Sequence, residues 1–163
     1  MRKLRQHGMA ASGAPAEVPG LNYRLTDLQA AVGRVQLARL PKALDERAAQ
    51  AARWGMLLGA QVILPLDGAP IARTNWQSFC VRVAGATRLL AALDAQGIGA
   101  RPGLSNAHEE PAYRHLGLSL PISEAARRDF VLLPMGPGLT IADQERVAAT
   151  FLNALVVETN QTS

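Results

Sequence analysis

The stretch "PGLNYRLTDLQAA", Pro19 to Ala31, decides how this chain reads. It sets a rigid turn, an amide, a phenol and a guanidinium directly in front of a strong helix start. "TDLQ" is a capping box: the Thr26 hydroxyl can accept a first-turn N–H, and Gln29 can reach back to the start of the helix. Asp27 suits the positive end of the helix dipole. Leu28, Ala31, Val32, Val35 and Arg39 then share one largely apolar face. Upstream, Gly20 permits an unusual backbone. Asn22, Tyr23 and Arg24 are therefore expected on a loop beside a helix N-terminus, where free N–H groups and the dipole favour an anion. The Asn amide can donate and the guanidinium can pair bidentately. An Asn turn with a surface Arg has the same local chemistry, and the stretch alone leaves both readings open.

Downstream, "PKALDERAAQAARWGMLLG" predicts a second long helix that begins at Pro41 and ends at Gly59, running nearly continuously with the first through a kink. The pattern then changes. "QVILPL" reads as a short strand and "APIARTNW" as a loop. "QSFCVRVAG" alternates Phe79, Val81 and Val83 against Ser78, Cys80 and Arg82, as a half-buried strand does. "TRLLAALDAQG" is a helix stopped by Gly97. "IGAR" is a short strand, "ISEAARRD" a short helix, "FVLLP" a strand, and Thr140 caps a final helix. The order β-β-α-β-α-β-α predicts a small mixed or antiparallel sheet covered by helices on one side. Four segments follow: an irregular leading segment 1–25, interdomain helices 26–59, a small α/β (α+β) domain 60–158 and a tail 159–163.

The 163 residues, 48% hydrophobic, suffice for one ordinary core. The longest uncharged apolar stretch, Trp54 to Leu66, is too short for a membrane span, and "MRKLRQHGMAASG" lacks the apolar segment of a secretory signal. One cysteine, Cys80, excludes an internal disulfide and suits a reducing cytoplasm. An "NQT" sequon at Asn160 then reads as chance. The net charge of +4 allows an anionic partner. Yet Lys3 and Lys42 are the only lysines among 17 basic residues, a skew that an arginine-rich codon bias explains as well. With 4% aromatic residues there are few platforms on which bases could stack, so nucleic acid is not expected as a partner.

A second polar cluster is "GIGARPGLSNAHEEPAY", with Arg101, Asn106, His108, Glu109, Glu110 and Tyr113. Arg101, at a strand end, could clamp an anion or pair with Glu109 or Glu110. His108 could move a proton or bind a phosphate. No second His or Cys stands at ligand spacing, so no metal site is expected. A Gly-rich phosphate loop with Lys and a nucleophile elbow are both absent from the sequence.

Together these residues resemble a known family. "GLNYRLTDLQAAVGRVQLARLPKALDERAAQAARW" is similar to the signature segment of the DegT/DnrJ/StrS family, pyridoxal-phosphate-dependent sugar aminotransferases of the aspartate aminotransferase fold. "LRQHG", "GIGARPGL…HEEPAY" and "LLPMGPGLTIADQERV" resemble further blocks of that family, in order along nearly the whole chain.

The resemblance implies the C-terminal part of the type I pyridoxal phosphate fold, within a dimer that shares its cofactor. In such a dimer the segment at Asn22, Tyr23 and Arg24 would reach the neighbouring subunit's cofactor, with Asn22 on the phosphate. Arg101 and His108 would lie on the nucleotide-sugar side. The family's Schiff-base lysine belongs to an N-terminal domain expected before Met1, and neither Lys3 nor Lys42 has suitable surroundings. The partners implied are a second copy, or that catalytic domain, and a nucleotide-sugar. The activity implied is amino transfer from glutamate, with this chain inactive alone and no catalytic residue assigned to it. The alternative is a non-catalytic binding or regulatory module derived from the same domain.

Overall fold

A computed structural model describes residues 1–11, 13–64 and 74–159, with side chains as far as residue 156. The sequon at Asn160, most of the tail and much of the expected loop at 69–76 lie outside the described residues. The chain divides into two compact units, Met1–Pro41 and Lys42–Ser163.

In the first unit the irregular segment is held by backbone pairing. Leu21 N–H donates to Leu4 O (2.9 Å), His7 N–H to Leu21 O (3.1 Å) and Tyr23 N–H to Arg5 O (2.9 Å). Gln6 and Asn22 form an antiparallel bridge. "LRQHG" and "LNY" are thus the two sides of one short ladder. It closes tightly because Gly8 and Gly20 meet there: a Cβ on Gly20 would lie 2.0 Å from Gly8 N.

Helix α1 spans Asp27–Leu58 with Pro41 inside it. The sequence predicted a second helix starting at Pro41 and nearly continuous with the first, rather than one helix. Instead the helix continues, because strong helix formers (Leu40, Lys42, Ala43, Leu44) flank a proline that removes one N–H.

The second unit has one core. Ala51, Trp54 and Leu58, spaced by three and four, form the buried stripe of α1. Strand β1 (Phe79–Arg82), helix α2 (Ala86–Ala95), strand β2 (Arg101–Pro102), helix α3 (Pro121–Asp129), strand β3 (Phe130–Leu133) and helix α4 (Ile141–Thr159) follow. The sheet is antiparallel in the order β1-β3-β2, with Phe79 opposite Leu133, Val81 opposite Val131 and Arg101 opposite Leu132. Alternation turns Phe79, Val81, Val131 and Leu133 inward. They meet Trp54, Leu89, Leu93, Val147 and Phe151, all buried. The strand expected at Gln61–Leu66 is reduced, among the described residues, to one bridge between Ile63 and Arg82.

Polar groups inside this core are paired. Trp54 Nε1–H donates to Pro134 O (3.1 Å), and Gln144 Nε2, fully buried, donates to Gln50 O (3.0 Å). The expected cap of the last helix forms: Asp143 N–H donates to Thr140 Oγ1 (3.1 Å) and Thr140 N–H to Asp143 Oδ2 (3.0 Å). Thr140, with Asp143 as its reciprocal partner, thereby fixes where α4 begins.

Candidate functional site

Two groups of polar residues stand out, one in each unit. In the first, the capping box forms: Gln29 N–H donates to Thr26 Oγ1 (3.3 Å) and Thr26 N–H to Gln29 Oε1 (3.0 Å). The helix start therefore already satisfies part of its own N–H set and carries the Asp27 carboxylate. It is a poorer anion site than its sequence implied.

The ladder ahead of it is better suited. Residues two apart in an extended segment share a side, and Asn22 and Arg24 do so: Arg24 Nε donates to Asn22 Oδ1 (3.1 Å). That bond occupies one of the two lone pairs of Asn22 Oδ1, the one acceptor atom of the pair. The Asn22 NH2 and the terminal guanidinium N–H groups are all donors. A donor-rich pair of this kind fits a phosphate. Tyr23 is placed apart from them by the same alternation and is 73% exposed. The two lysines do not suit covalent attachment of a cofactor. Lys3 pairs with Glu17, and Lys42 lies 3.8 Å from Glu46 with its side chain 85% exposed.

The second group surrounds the loop between β2 and α3. Asn106 is 5% exposed, and its amide nitrogen donates to Glu109 Oε2 (2.8 Å) and Ser123 O (3.1 Å). His108, on a 3-10 turn (Ala107–Glu109), has a side chain only 6% exposed, with Nε2 3.3 Å from Glu124 Oε1. That same oxygen accepts the Leu120 N–H at 2.7 Å. The Leu120 N–H, helped by His108, holds the Glu124 carboxyl below its ordinary value of 4.5. Ser105, Asn106, His108, Tyr113, Leu116 and Leu120 are among the residues that line a pocket of about 350 Å³.

Arg101 is exposed at the sheet edge and is not among the residues that line this pocket. Its suggested pairing with Glu109 or Glu110 does not occur. Arg127 of α3 meets both instead, at 3.5 and 3.8 Å. Glu124 was missed by the sequence reading. Its signal was a carboxylate in the first turn of a helix with Pro121 at the start. No group of three metal-ligating side chains is present among the described residues.

Comparison with known proteins shows the family. The profile of the DegT/DnrJ/EryC1/StrS aminotransferase family matches residues 1–152. GDP-perosamine synthase of Caulobacter vibrioides is 35% identical over 166 residues, covering 96% of this chain and 44% of that protein. The structure of DesV from S. venezuelae superposes with a TM-score of 0.80 at 33% identity, covering 94% of this chain and 43% of that one. A DegT DnrJ EryC1 StrS aminotransferase from Brucella abortus gives 0.79 at 28% identity, covering 93% and 42%. The chain therefore spans less than half the length of the relatives it matches.

Proposed function

The chain belongs to the DegT/DnrJ/EryC1/StrS aminotransferase family, and from that premise we propose that it is the C-terminal part of a pyridoxal-phosphate-dependent enzyme that aminates a nucleotide-linked keto-sugar. Its fold is that of the C-terminal part of the type I aminotransferase architecture, a small antiparallel sheet with helices. When bound, pyridoxal phosphate supplies the electron sink for amino transfer. The amino donor in this reading is glutamate, and the working unit is a homodimer.

This chain's own contribution is binding. Asn22 and Arg24 hold the cofactor phosphate of the neighbouring subunit, and Tyr23 stands beside them. His108 and Arg101 face the nucleotide-sugar from separate positions. The covalent handle comes from outside these 163 residues, because Lys3 and Lys42 both sit in exposed ion pairs. By itself the chain is expected to be inactive. The observation that carries this reading is the donor-rich Asn22–Arg24 pair, joined by its 3.1 Å bond inside the segment that the family profile covers. The nucleotide in the name of the Caulobacter vibrioides relative supports the substrate class. No helix among the described residues is long and apolar enough to cross a membrane.

The test is cofactor affinity in the complete enzyme. Asn22→Ala should weaken pyridoxal phosphate binding about tenfold or more, the loss expected when charge-assisted recognition is broken. Borohydride reduction of the cofactor complex should label neither Lys3 nor Lys42. Unchanged affinity in both Asn22→Ala and Arg24→Ala, or stoichiometric label on Lys42, would overturn the assignment.

A further inference from the structure

Between Leu104 and Arg128 the chain leaves the sheet and returns to it at one narrow neck. There Gly103 N–H donates to Phe130 O (2.8 Å) and Val83 N–H to Asp129 O (2.8 Å). No residue from Arg101 to Phe130 belongs to the hydrophobic core of the second unit. Helix α3 lies against α2 but buries none of its residues. What holds the segment is its own bonding. Asn106 Nδ2 in the loop donates to Ser123 O in α3 (3.1 Å), His108 Nε2 lies 3.3 Å from Glu124 Oε1, and Arg127 meets Glu109 and Glu110. Leu120 N–H donates to the same Glu124 oxygen (2.7 Å). The turns from Asn106 to Gly117 are closed by backbone bonds inside the loop, such as Tyr113 N–H to Glu110 O (2.9 Å). A helix of nine residues is too short to persist in water by itself. A loop of local turns has no core of its own to hold it. Each therefore needs the other.

We infer that Leu104–Arg128 is a flap that folds and opens as one cooperative unit while the core stays folded. Opening breaks the links between the loop and α3 and the light contact of α3 with α2, but it takes no side chain out of the hydrophobic core. The neck bonds lie outside the segment, so the sheet is kept. A segment with few buried apolar contacts belongs at the low end of a protein's local stabilities. The consequence falls on the pocket of about 350 Å³, because every residue that lines it lies between Ser105 and Ser123. The pocket is made or abolished as a whole, by an order–disorder switch built into the fold. Whatever fills it closes the flap by mass action.

Hydrogen–deuterium exchange of the full chain, followed by mass spectrometry at urea concentrations below its unfolding transition, tests the flap. The hydrogen-bonded amides of Tyr113 to Gly117 and those of α3 should share one urea dependence. Relative to their intrinsic rates they should exchange about tenfold or more faster than those of β1, β3 and α4. Asn106→Ala removes a link between loop and helix and should speed both by the same factor, about tenfold. Should that variant not fold, Arg127→Ala reads the same coupling through Glu109 and Glu110 from an exposed position, with a common factor of about two. Gln50→Leu acts outside the segment and should speed the core amides while leaving the flap amides unchanged. Flap amides that exchange in step with the core, in the wild type or in Gln50→Leu, overturn the inference. So does an effect of Asn106→Ala or Arg127→Ala that stays in the loop and leaves α3 unmoved.

Discussion

The side chain of Gln50 pairs with the backbone of Gly136 as a second peptide would: Gly136 N–H donates to Gln50 Oε1 at 3.0 Å, and Gln50 Nε2 donates to Gly136 O at 2.9 Å. This pair of hydrogen bonds ties α1 to the turn that precedes α4, across 86 positions of sequence. Gln50→Leu removes both bonds, leaving the Gly136 N–H without a partner and Gly136 O with only the Leu139 N–H at 3.4 Å. It should destabilise the second unit by about 2–4 kcal/mol, measured by urea unfolding. Gln50→Glu should be no better, since a carboxylate oxygen would then face Gly136 O.

Gly103 lies against the outer side of the sheet. A Cβ added there would sit 2.5 Å from Phe130 Cβ and 2.8 Å from Cys80 Sγ. Phe130 Cβ is fixed to the strand backbone and cannot swing away, so Gly103→Ala must displace β2 from β3. A loss of about 1–3 kcal/mol is expected, read as a lower melting temperature. Pairing it with Cys80→Ala relieves one of the two clashes and should recover only part of the loss.

Helix caps were legible from sequence because their partners are three residues apart. Thr26 with Gln29 and Thr140 with Asp143 form as local chemistry dictates. The alternation around Phe79–Arg82 and Phe130–Leu133 was legible for the same reason. The Asn22–Arg24 bond follows from extended geometry once the ladder to Leu4–His7 exists, but nothing local in the sequence selects that ladder. Gln50 and Glu124 were opaque. An amide or carboxylate on a helix reads as solvated until tertiary folding brings Gly136 or His108 to it. The near-continuity of α1 through Pro41 was legible, but the proline read as the start of a second helix where the structure has one.

The apolar residues expected on one face at the start of α1 are exposed: Leu28 at 77%, with Val32 and Val35 over half exposed. No residue of the first unit covers them. A run of this kind marks an interface or an association hazard. The isolated chain should therefore show concentration-dependent oligomers by light scattering. The double substitution Leu28→Asp and Val32→Glu should shift it toward monomer without loss of helical signal. A wild-type chain that stays monomeric at high concentration would contradict the interface.

The Glu124 carboxyl supplies the last prediction, and its sign can be worked out. The Leu120 N–H first, and His108 second, stabilise the charged form and depress its folded value below the ordinary 4.5. In the unfolded chain those partners are lost and the value returns to the ordinary one. The folded state thus binds a proton less readily than the unfolded state, and stability rises with pH across that interval. The contribution is complete above about pH 4.5 and is lost as pH falls through the lower, folded value. Glu124→Gln removes the charge, so the urea midpoint of wild type should exceed that of the variant near pH 6. The gap should close as the pH is taken down through that lower, folded value. A gap that stayed constant with pH would mean that Glu124 holds the Leu120 end of the loop by shape alone. The carboxylate bond to His108 would then contribute nothing to fixing the ring.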